Sequence, residues 1–104
     1  MVGPDGRWFQ APGARPVSLE RRKPLAKIVS CLARARLAGD EAGISWSDLQ
    51  AAGWPGERVL PEAGAHRVRV AISTLRKLGL APHLLTRGTG YLFDAGLPLV
   101  LASE

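Results

Sequence analysis

Cysteine is almost missing from this chain. Cys31 is the only one in 104 residues, which excludes an internal disulfide and any thiolate-rich zinc site. Its neighbours Ile28, Val29, Leu32 and Ala33 are apolar, so a buried, unreactive thiol is expected. Histidine is also scarce. His66 and His83 lie apart in sequence with no metal-ligand or nucleophile motif beside them, and they are read as an exposed helix residue and a turn residue. A phosphate-cradling lysine loop is absent, and Gly88-Thr89-Gly90 is too short to stand in for one. The chain is therefore read as a non-enzyme, with no catalytic residue, cofactor or metal expected. No apolar run approaches membrane-spanning length, and Met1 to Asp5 show no basic stretch leading into a hydrophobic one. Neither insertion nor secretion is signalled, and a cytoplasmic location is expected.

What remains is enough for one core. With 46% hydrophobic and 22% charged residues, the composition is that of a folded protein of single-domain size. Twelve glycines and eight prolines imply many turns. The charges come in blocks: residues 1–37 carry eight basic and two acidic groups, and residues 38–62 carry five acids against Arg58. Residues 63–91 hold Arg67, Arg69, Arg76, Lys77 and Arg87 with no acid. Basic surfaces of this kind concentrate polyanions, nucleic acid above all.

Periodicity then sets the architecture. Arg7-Trp8-Phe9-Gln10 and Val17-Ser18-Leu19 read as short extended pieces of an N-terminal sheet. Leu25, Ile28, Val29 and Leu32 share a helical face, opposite Lys23, Lys27 and Arg34, in a helix that runs to about Leu37 with Ser18 or a neighbour as its cap. Ser45-Trp46-Ser47-Asp48 fits a capping box for a short second helix, and Gly53 to Glu57 form a loop around Pro55. A third helix from Pro61–Ala65 through Leu78 places Val68, Ile72 and Leu75 inward, with Gly79 as its stop. Leu84 to Phe93 read as a hairpin. The expectation is an α+β winged helix-turn-helix over residues 7–95, with a flexible lead-in at 1–6 and a tail at 96–104.

The stretch Val68-Arg69-Val70-Ala71-Ile72-Ser73-Thr74-Leu75-Arg76-Lys77 resembles the recognition helix of the DNA-binding output domain of two-component response regulators. Thr86-Arg87-Gly88-Thr89-Gly90-Tyr91 resembles that family's wing, and Trp54 falls where the family commonly has a tryptophan. The resemblance covers about residues 7–94. Arg69, Ala71 and Thr74 depart from it, standing where the family usually has an acid, a histidine and an arginine. No receiver domain accompanies the motifs, so phosphorylation control is not implied.

The resemblance implies sequence-specific binding of double-stranded DNA, with the third helix in the major groove and the wing in the minor groove. Val70 and Thr74 are then the candidate base contacts. Arg67, Arg69, Ser73, Arg76 and Lys77 are phosphate anchors or further readers, and Arg87 suits a narrow minor groove. Tyr91 is expected to pack and touch a phosphate. Arg21, Arg22, Lys23 and Lys27 fit a backbone contact or a merely solubilising face equally well. The alternative is a winged-helix protein-interaction module using Val70, Trp46 and Trp54 as anchors. A homodimer or another regulatory protein is the further partner expected.

Overall fold

Two short antiparallel sheets bracket three helices in the computed structural model, which describes residues 1–102. In the first sheet, β1 (Trp8–Phe9) pairs with β2 (Val17–Ser18), Trp8 opposite Ser18 and Phe9 opposite Val17. The chain then enters α1 (Lys23–Leu37), whose Leu25, Ile28, Val29 and Leu32 are buried along the expected face. Ser18 is not its cap. That side chain sits in β2 and accepts from the Glu20 amide, while the helix starts after Arg22 without a side-chain cap. Pro24 lies in its first turn, where no amide donor is needed.

A two-residue strand, β3 (Ile44–Ser45), precedes α2 (Trp46–Gly53). Ser45 closes the strand and opens the helix, because its Oγ accepts from the Asp48 amide at 3.1 Å. After the loop, α3 (Pro61–Leu75) buries Val68, Ala71, Ile72 and Leu75. Full burial of the valine, isoleucine or leucine side chain stabilises by roughly 1.5–3 kcal/mol each. Regular α-helix stops at Leu75, short of the expected Leu78. The chain continues as a wider turn over Arg76–Leu80, in which Gly79 takes a φ of 126° that side-chain-bearing residues avoid.

The wing is β4 (Leu84–Arg87) against β5 (Gly90–Phe93), and β3 adds to the far edge of β5, giving the order β3-β5-β4. Gly90 makes this third strand possible. A Cβ there would lie 2.3 Å from the Ile44 carbonyl oxygen, so its glycine serves a close approach within the protein.

The first and last described residues meet one another. Val2, within the expected flexible lead-in, is only 3% exposed. It bridges to Phe9 and Leu101, and its amide donates to the Val100 carbonyl at 2.9 Å. Leu97 is buried in the core, and the Arg36 guanidinium donates to the carbonyls of Asp94, Ala95 and Leu97. Within the expected tail Leu97 and Leu99 pack on the core, while Val100 and Leu101 stay exposed. Together these elements make a winged helix-turn-helix: α2 and α3 with their loop, a C-terminal wing and a small N-terminal sheet.

Candidate nucleic-acid interface

Because Val68, Ile72 and Leu75 point inward, helical geometry turns His66, Arg69, Val70 and Ser73 outward. Lys77 follows just past the end of α3. All five are exposed, Val70 by 50%. The side chains of Arg69, Ser73 and Lys77 make no hydrogen bond or ion pair with another described residue. This stripe therefore presents two unpaired cations, a hydroxyl and an aliphatic surface.

The flanks of the same helix are occupied. On one side the Arg67 guanidinium lies 5.0 Å from the centre of the Trp54 ring and pairs with the Glu57 carboxylate. Thr74 is half-buried on this side, and its Oγ1 donates to the Val70 carbonyl at 3.1 Å. On the other side Arg76 reaches the wing. Its Nε and Nη2 donate to the Leu84 carbonyl at 3.0 and 2.7 Å, and Nη2 also donates to Thr86 Oγ1 at 3.0 Å. The same guanidinium is 6.0 Å from the Tyr91 ring centre. Tyr91 packs against the core, so Arg76 and Tyr91 join α3 to the hairpin.

At the hairpin, Gly88 takes a φ of 57° and reverses the chain. Arg87 is exposed and donates from Nη1 to the Glu41 carbonyl, which ties the wing to the loop before β3. A guanidinium has five donors, so the remaining ones stay at the surface. Sequence reading missed these internal partners. Glu57 is an acid within reach of a basic helix, a signal that was available; the carbonyls of Glu41 and Leu84 carry none.

Trp54 ends α2 and packs, half-buried, against the core. Trp46 packs there too, and a Cβ on Gly64 would come within 2.9 Å of its ring. Cys31 is half-buried, more open than expected, beside Lys27, Ser30 and Arg34. Burial pushes its thiol pKa up, Asp48 adding to the shift and Arg34 opposing it. His66 is exposed on α3, and His83 is half-buried in the turn before β4.

Comparison with known proteins matches this chain to no family model, no curated protein and no solved structure. The geometry stands by itself. It is a small α+β domain of winged-helix type, and among the described residues no helix is long and apolar enough to cross a membrane.

Proposed function

We propose that this domain binds double-stranded DNA sequence-specifically as part of a transcription regulator, and that it acts by binding rather than catalysis. The observation that carries the reading is the outward stripe of α3. Arg69 and Lys77 are exposed there and unpaired among the described residues, in a segment from 63 to 91 without an acid, and a hairpin carrying Arg87 follows on the same chain. In a helix-turn-helix the third helix enters the major groove. Val70 then offers its methyls to thymine and Thr74 a methyl or hydroxyl to a base edge. Arg69, Ser73 and Lys77 meet phosphates, as do the outer donors of Arg67 and Arg76. Arg87 enters the minor groove beside Tyr91. The likeness of the α3 and wing sequences to response-regulator output domains supports the same assignment.

Selection from a random duplex library tests it. The folded domain is expected to enrich a short motif, and Thr74→Val, which keeps a methyl and removes the hydroxyl, is expected to change preference at one position by about 1 kcal/mol. Recovery of an unenriched library by the wild type would contradict sequence-specific binding.

A further inference from the structure

An apolar groove of about 600 Å³ runs beside the third helix, between the start of α1 and the flank of α3. Pro24, Leu25, Trp54 and Val70 line it, and Arg22 adds positive charge beside an Arg67 that is paired with Glu57. Among the described residues no aspartate or glutamate lines it. The groove is open-sided, whereas small-ligand pockets enclose most of their occupant. An amphipathic helix suits an open groove, because it buries one stripe and keeps its other face in water.

We infer that this groove docks an amphipathic helix of a partner protein, with apolar residues on the buried stripe and acidic residues flanking it. Charge complementarity selects the acidic flanks through Arg22, which has no partner among the described residues; the charge of Arg67 is already met by Glu57. Val70 and Thr74 belong both to the groove and to the proposed DNA-reading surface. A docked helix therefore displaces DNA from α3, a consequence that rests on the DNA-binding reading, whereas the docking itself does not.

The test uses the full chain and two displayed libraries of helical peptides, apolar at i, i+3, i+4 and i+7. Aspartate and glutamate fill the other positions in one library, lysine and arginine in the other. Acidic peptides are expected to enrich. In calorimetric titration, Arg22→Glu and Ala63→Glu are each expected to weaken the best of them by about tenfold or more. Both positions are exposed, and thermal melting checks that the variants are folded. Equal enrichment of the basic library, or unchanged affinity in both variants, overturns the inference. Duplex titrations with and without peptide separate the two readings. DNA binding that saturating peptide leaves unchanged overturns the displacement. If no duplex binds even without peptide, the DNA reading fails and the calorimetry still decides the groove.

Discussion

Arg69 and Arg76 lie seven positions apart at the same helix, and the protein uses them in opposite ways. Arg76 directs its donors at the Leu84 carbonyl and Thr86 and lies against Tyr91. Arg69 directs none at a described residue. The contrast is one of partners and not of faces, since two helical turns bring Arg69 and Arg76 to the same side. Arg67 rests on Trp54 and Arg76 on the wing, while Arg69 and Lys77 are unpaired among the described residues. A count of five basic residues between 63 and 91 therefore overstates the number free to meet phosphate. Arg67 and Arg76 use donors within the protein, on Glu57 and on the wing, whereas Arg69 and Lys77 keep all of theirs for a ligand.

The largest expected effect of breaking a flank is at Trp54, the surface on which Arg67 rests. Trp54→Ala should lower unfolding stability by about 2–3 kcal/mol, below the fully buried range because the ring is half-exposed. Denaturant melts check this, and loss of DNA binding with unchanged stability would transfer Trp54 to the ligand surface.

Arg76→Ala comes next. Removing charge-assisted bonds to a carbonyl that bridges helix and wing should cost about 2 kcal/mol, whereas Arg69→Ala should stay within about 0.5 kcal/mol of wild type. Equal stability losses at the two positions would erase the distinction between engaged and unpaired cations.

Gln50 is the counter-case to Arg76. It is 6% exposed in α2, and neither side-chain polar atom has a hydrogen-bond partner among the described residues. Gln50→Met keeps its shape and removes the polar atoms, so a gain of about 1 kcal/mol is expected; a loss of similar size would mean that the amide is satisfied in solution.

The smallest effect concerns Cys31. A half-buried thiol with a raised pKa has less thiolate to react. Alkylation at neutral pH should be slower in the folded protein than in denaturant, and equal rates would contradict the packing around α1.

How far the sequence revealed this arrangement depends on the range of each contact. The α3 face was legible because Val68, Ile72 and Leu75 repeat at helical spacing, and the wing because glycines divide two β-rich halves. Ser45 was legible because a cap acts within one turn. β3 was not: two residues are too short for any period, and the strand exists only because Gly90 lets Ile44 approach. Nor could a sequence show that Arg76 would be held by the Leu84 carbonyl or Arg87 by that of Glu41, since every residue carries a carbonyl. The pairing of Val2 with Leu101 spans nearly the whole chain and leaves no local mark. At the candidate site, residue types and outward facing were readable, but the division into engaged and unpaired cations was not.

The salt dependence of duplex binding tests the central claim most directly. Wild type, Arg69→Ala and Lys77→Ala are titrated with one duplex across a series of salt concentrations, and log K is plotted against log salt. If the stripe grips phosphates, wild-type affinity falls steeply with salt and each variant flattens the slope by about one. Absence of duplex binding by the folded wild type, or slopes identical in all three proteins, would contradict it.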